Sequence, residues 1–185
     1  GQTCIAPDYV LIEENQQEAL IQELKSAAQA QFSNPEELTG PIDDRQLHFW
    51  QHLVSDAMSR GANLIPLLEN PKAGARRFEP LAMTNVSADC AILQEEIFGP
   101  ILPILTMKDT DAAVKFINER PDPLALYWFG KNKKHMHKVL NETLSGGVTI
   151  NDTLLHIAID DLPFGGVGAS GGSSKSKTPT NRKIK

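Results

Sequence analysis

An α/β fold with a largely parallel sheet flanked by helices is the class this sequence predicts. Three observations point to it. Short apolar runs, at 9–12, 103–107 and 125–129, alternate with amphipathic stretches of 10–17 residues. Breaks separate them at Asn34-Pro35, Gly40-Pro41 and Gly146-Gly147. The composition, 41% hydrophobic and 22% charged, is that of a globular domain able to bury a core.

Residues 9–13 read as a buried strand. Residues 15–31 read as a helix with Leu20, Leu24, Ala27, Ala28 and Gln31 along one side, ended by Asn34-Pro35. A second helix spans 43–60. Leu47, Trp50, Leu53, Val54, Ala57 and Met58 share its inner face, and Gly61 sits where a helix-terminating glycine belongs. Residues 63–68 read as a strand, 71–77 as a loop, and 78–84 as a strand interrupted by Pro80. After a strand at 103–107, Asp109 suits the N-cap of a helix through Glu119, with Ala113, Phe116 and Ile117 inward. Residues 125–129 form an apolar strand. Asn132 caps a helix that packs through Met136, Val139 and Leu140, and 147–150 is the last strand. No internal repeat is visible.

The net charge of −5 is unevenly spread. Lys175, Lys177, Arg182, Lys183 and Lys185, five of the 18 basic residues, lie after Ser170 with no acid among them, so the body carries about −10. An acidic body is a poor nucleic-acid surface. From Gly168 the composition collapses to Gly, Ser, Lys, Thr and Pro, so 169–185 is expected to be a disordered basic tail after a domain at 1–168. No apolar run approaches a membrane span and no signal peptide is visible. The only cysteines, Cys4 and Cys90, form no metal-type pair, which fits a reducing, cytoplasmic setting and excludes a disulfide scaffold.

Chemistry centres on Gly1-Gln2-Thr3-Cys4, a glycine-led turn that sets one thiol at the lip of a strand. N–H groups freed by such a turn favour the reacting thiolate. A lone cysteine is more often a small buried hydrophobe, so the residue alone leaves both readings open. Two further stretches are Gln94-Glu95-Glu96-Ile97-Phe98-Gly99-Pro100 and Pro163-Phe164-Gly165-Gly166-Val167-Gly168. With the first turn, and with Pro123-Leu124-Ala125-Leu126-Tyr127 and 145–152 between them, residues 1 to about 171 resemble the aldehyde dehydrogenase superfamily. The flavour is that of the branch with coniferyl-aldehyde and fatty-aldehyde dehydrogenases.

The resemblance implies an incomplete catalytic domain from the C-terminal portion of an NAD(P)-dependent enzyme. It makes Cys4 the catalytic nucleophile, its backbone N–H donating to the oxyanion. It makes Glu96 the acceptor for the nicotinamide ribose hydroxyls, since a carboxylate takes two neighbouring O–H donors. It places Phe98 beside the nicotinamide. It sets Phe164, and more loosely His156, against the substrate, an apolar or aromatic aldehyde. The glycines Gly165, Gly166 and Gly168 would allow close backbone packing there. By residue type alone, Glu96 and Phe98 read rather as an acidic surface loop with a core anchor, and His156 as a structural histidine, and the resemblance reverses the reading of the loop. Glu95 reads as structural and Cys90 as core. The pair His48 and His52 lacks a third metal ligand, and His135 and His137 lie on an exposed basic helix among Lys131, Lys133, Lys134 and Lys138. No metal site is expected.

No Gly-rich dinucleotide fingerprint occurs in these residues, and neither Glu13 nor Glu14 matches the family's base motif. A start at Gly rather than Met, inside the turn, fits a fragment, a processed product or a truncated form. NAD or NADP would be held mainly by an absent N-terminal domain, and the chain alone is expected to be inactive. A homodimer is expected of the full-length enzyme and doubtful for this chain. The alternatives are a non-catalytic binding or subunit-contact module derived from that family, and a hydrolase in which Cys4 finds a separate partner.

Overall fold

The computed structural model describes residues 1–32, 38–68 and 77–171. The expected break at Asn34-Pro35, most of the 71–77 loop and most of the 169–185 tail lie outside the described residues. The chain divides into two compact units between Met107 and Lys108.

The first unit holds a four-stranded sheet of β1 (Val10–Glu13), β2 (Asn63–Pro66), β3 (Leu81–Thr84) and β4 (Ile101–Met107), in the order β1-β4-β3-β2. β4 pairs in parallel with β1 (Val10 opposite Ile104) and with β3 (Leu81 opposite Ile101). β2 joins β3 antiparallel. The sheet is therefore mixed, with two of its three pairings parallel, in keeping with the largely parallel sheet the sequence predicts. β1 is an edge strand and only half-buried, not the fully buried strand its apolar run suggested. β4 starts two residues earlier than expected and contains Pro103. The strand pairs with β3 through residue 103 and with β1 from residue 104, so Pro103 sits at the changeover. A missing N–H costs least there.

Alternation along β3 sends Ala82 and Met83 to opposite faces. On the Ala82 side, Ile21 and Ala28 of α1 (Gln17–Gln31) pack with Leu38, Leu67, Leu68 and Ile104. The inward stripe of α1 is Ile21, Leu24 and Ala28. Leu20 packs beside this stripe as expected, whereas Ala27 and Gln31, also expected inside, are exposed. On the Met83 side, Trp50, Leu53 and Ala57 of α2 (Asp44–Ser59) pack with Cys90, Ile92, Ile97 and Ile101. Asp43 caps α2 by accepting from the Gln46 N–H at 2.9 Å. Gly61, at φ +91°, follows its end and donates to Met58 O at 3.0 Å. Met58 itself is 52% exposed, a correction to its expected place on the inner face.

In the second unit, β5 (Ala125–Trp128) and β6 (Gly147–Ile150) form a parallel pair. Val114 of α3 (Thr110–Asn118) and Val139 of α4 (Lys133–Glu142) pack on Leu126, with Ile117, Trp128 and Leu140 around them. Asp109 and Asn132 cap the two helices, as expected. The face of α3 centres on Val114 with Ile117, expected inward, packed beside it, while Ala113 and Phe116, also expected inward, are only half-buried. Phe116 instead carries the Arg120 guanidinium 3.4 Å above its ring.

Leu53→Ala should destabilise the chain by about 2–5 kcal/mol, since it empties a fully buried site. Met58→Ala should stay within about 0.5 kcal/mol. Urea midpoints of the two variants test this assignment of the α2 face, and equal losses would refute it.

Candidate functional site

Cys4, Glu96 and Phe98 belong to the first unit, His156 and Phe164 to the second. In the first unit, residues 3–6 close a turn in which the Ala6 N–H donates to Thr3 O at 3.1 Å. Ile5 points into the core at 4% exposure and Cys4 outward. The buried neighbour fixes the turn, and the thiol is presented. Cys90 is the opposite case. It is fully buried in the α2 core, and burial pushes its thiol pKa up. An inert core role fits it.

The Glu96–Phe98 loop is built around Ile97. Its side chain is 1% exposed, while Glu96 and Phe98 on either side face outward. Both backbone groups of Ile97 are held by side chains rather than by a strand partner. Its N–H donates to Asp8 Oδ1 at 3.0 Å. Its carbonyl accepts from the buried Trp50 indole N–H at 3.0 Å and from Gln46 Nε2 at 3.4 Å. Phe98 adopts φ +45°, a left-handed conformation that is strained for a bulky residue. Gly99 follows with the Trp50 ring against it. A Cβ there would lie 2.2 Å from the indole nitrogen, so only glycine fits. A Cβ on Gly1 would fall 1.8 Å from Gly99 O. The segment bearing Cys4 is thus tied to the loop bearing Glu96 and Phe98 by the Asp8–Ile97 bond, and Gly1 passes close against Gly99.

Asp8 is unusual among the carboxylates here. Burial raises its pKa from 3.8 to about 6, and nearby Glu96 adds to the rise, against the opposing effect of the Ile97 N–H. Asp43 and Asp56 also accept from backbone N–H groups, yet those bonds hold them below the usual range. Sequence reasoning missed Asp8, Gln46 and the bonding role of Trp50. The one available signal was that a buried indole needs an acceptor.

In the second unit His156 lies over the strand pair. Its Nδ1 is 2.9 Å from Thr149 Oγ1, and its ring is 6.0 Å from that of Tyr127. Burial lowers its pKa. Gly147 makes room for it, since a Cβ there would meet the ring at 2.5 Å. Phe164 is 61% exposed. Of the glycines around it, Gly166 lies against Ser170 O and Gly168 adopts φ +56°, but Gly165 faces open space, which corrects the expectation of close packing there. The crowding falls instead on Gly146, where a Cβ would meet Gly165 O at 2.4 Å. His48, His52 and His137 are exposed, and no cluster that could hold a metal occurs among the described residues. No helix there is long and apolar enough to cross a membrane.

An α/β scaffold of this topology is shared by a class of oxidoreductases. The family model described as "Aldehyde dehydrogenase family" matches residues 1–181, and the chain belongs to that family. It is 45% identical over 174 residues to the "Probable coniferyl aldehyde dehydrogenase" of Pseudomonas aeruginosa, covering 92% of this chain and 36% of that protein. It is 42% identical over 171 residues to mouse "Aldehyde dehydrogenase family 3 member A2", covering 92% and 35%. Among solved structures, the substrate-bound state of Staphylococcus aureus AldH superposes with a TM-score of 0.83 at 40% identity, over 92% of this chain and 37% of that one. An NADP-dependent glyceraldehyde-3-phosphate dehydrogenase from Bacillus halodurans, complexed with NADP, gives 0.78 at 27%, over 92% and 36%. The chain thus spans little more than a third of the length of these relatives.

The raised pKa of Asp8 sets the sign of a pH effect. Its favourable contribution is complete below pH 3.8 and is lost as pH rises through about 6. Asp8→Asn, always neutral, should gain on the wild type by about 1–2 kcal/mol at pH 7, allowing for the solvent that still reaches this group. The difference in Tm should widen from pH 4 to pH 7, and a constant difference would refute the assignment. Gly99→Ala should cost about 1–3 kcal/mol by pressing on the Trp50 ring. Calorimetry at one pH decides that point, with an unchanged Tm counting against the close approach.

Proposed function

We propose that this chain is the C-terminal catalytic portion of an NAD(P)-dependent aldehyde dehydrogenase acting on an apolar or aromatic aldehyde. Cys4 is its nucleophile. The observation that carries the reading is the fastening of an exposed thiol segment to a loop that presents an exposed carboxylate beside an exposed aromatic, in a chain of this family.

The chemistry runs as follows. The Cys4 thiolate adds to the aldehyde carbonyl carbon and forms a C–S bond, leaving a thiohemiacetal alkoxide that the Cys4 backbone N–H can stabilise. Bound NAD or NADP supplies the hydride acceptor. Loss of that hydride from the thiohemiacetal carbon restores the C=O bond as a thioester on Cys4. Water then adds to the thioester, the C–S bond breaks, and the acid leaves with the thiol regenerated. Glu96 and Phe98 fit the nicotinamide end of the cofactor: an outward acceptor-only group suits the ribose diol, and the neighbouring ring suits the flat face. The second unit offers exposed apolar side chains at Leu154, Leu155, Ile157 and Phe164, which suit an apolar or aromatic substrate. His156, bonded to Thr149 with its pKa lowered by burial, is assigned the looser role of lining that surface with its ring.

The residues in hand include no dinucleotide fingerprint and no match to the family's base motif, so the chain alone is not expected to turn over aldehyde. Iodoacetamide labelling followed by peptide mass spectrometry tests the assignment. Cys4 should react at least ~10-fold faster than Cys90, and a saturating aromatic aldehyde should slow Cys4 alone. Equal rates, or an aldehyde effect shared by both thiols, would favour the non-catalytic module. Steady NADH formation by the chain alone would overturn the expectation of inactivity.

A further inference from the structure

We infer that Asp8 is a positioning residue for the cofactor loop: through the Ile97 N–H it fixes the direction in which Glu96 and Phe98 face, and it ties that direction to the segment carrying Cys4. The inference rests on the reading of Glu96 and Phe98 as the nicotinamide-ribose contacts.

The geometry carries it. Glu96, Ile97 and Phe98 are consecutive, and only Ile97 is buried. The direction of the outward pair therefore follows from the orientation of the two peptide units that flank Ile97. One is set by Trp50 and Gln46 through the carbonyl. The other is set by Asp8 through the N–H at 3.0 Å. Phe98 at φ +45° persists only if its surroundings over-determine it, and the Asp8 bond is one of those constraints.

A second consideration is cost. A neutral acceptor would bond the Ile97 N–H without the penalty of placing a carboxylate in a partly buried site beside Glu96. Asp8 is thus a residue that stability alone would not select, and such residues gather where position matters more than stability. It lies four residues after Cys4 and directly before Tyr9 and β1. The same short segment therefore sets the thiol at one end and the loop at the other.

The test uses the full chain with nicotinamide mononucleotide as the probe, followed by amide resonances and hydrogen exchange. Wild type should show shifts at the Glu96 and Phe98 amides on titration. Asp8→Ala should raise exchange at the Ile97 amide at least ~10-fold while leaving Leu53 and Met83 protected, and should weaken the probe at least ~5-fold. Asp8→Asn, which keeps the acceptor oxygen, should restore both to within ~2-fold. That rescue separates positioning from loss of fold. Unchanged Ile97 exchange in Asp8→Ala would overturn the role of Asp8 and leave the reading of Glu96 intact. Faster Ile97 exchange with no probe-induced shift at Glu96 or Phe98 in wild type would instead overturn the cofactor reading, and the role with it.

Discussion

The hydrogen bond from the Trp50 indole to the Ile97 carbonyl is the contact on which the rest of the first unit depends. Trp50 is fully buried, so its N–H needs an acceptor inside the core. By taking one from a loop rather than from a strand, it makes that loop part of the core. The T-shaped contact with Phe78, 5.5 Å between ring centres, holds the indole from another side. Gly99 must then be glycine, because the ring occupies the space a side chain would need. Phe98 is left facing outward in an unfavourable backbone conformation, next to Glu96. One buried donor explains the shape of four consecutive residues.

The division of labour between α2 and β3 follows from simple alternation. Met83 faces Trp50 and Leu53, while Ala82 faces Ile21 and Ala28. The sheet is covered on both sides with only four residues in most of its strands. Asp56 then joins the far end of α2 to the turn at Ala91, whose N–H it accepts at 2.8 Å, and Arg60 binds both Asp56 and Asp89. These exposed ion pairs add little energy individually. Their value is that the chain entering the Glu96 loop is held at its start as well as at its centre.

The fold class, and the four α-helices and six strands among the described residues, were legible in the sequence because periodicity and caps are local signals. Asp43, Asp109 and Asn132 were read as helix starts, and each side chain does accept from the backbone it precedes. What failed was rotation about a helix axis. Ile21 and Val114 were overlooked in favour of neighbours, since a stripe of alanines and leucines fits several rotations and only the packed sheet chooses one. In the candidate site, the motifs single out Cys4, Glu96 and Phe98, and the structure shows all three exposed. Asp8 and Gln46 were not legible, because nothing local distinguishes an acid or amide that bonds a residue 89 or 51 positions away. Composition also hid the division of the chain into two units, since no linker-like stretch marks Met107 and Lys108.

The parallel pairing of β1 with β4 has a consequence for how the protein is made. Val10 meets Ile104 across more than half of the described chain, and the loop-gripping contacts close over distances of 89 and 47 residues. Ring closures of that size carry an entropic cost that local turns do not. During synthesis Cys4 emerges long before Trp50, and Trp50 long before Ile97. The neighbourhood of Cys4 is complete only with β4 seated between its two partners, β1 and β3.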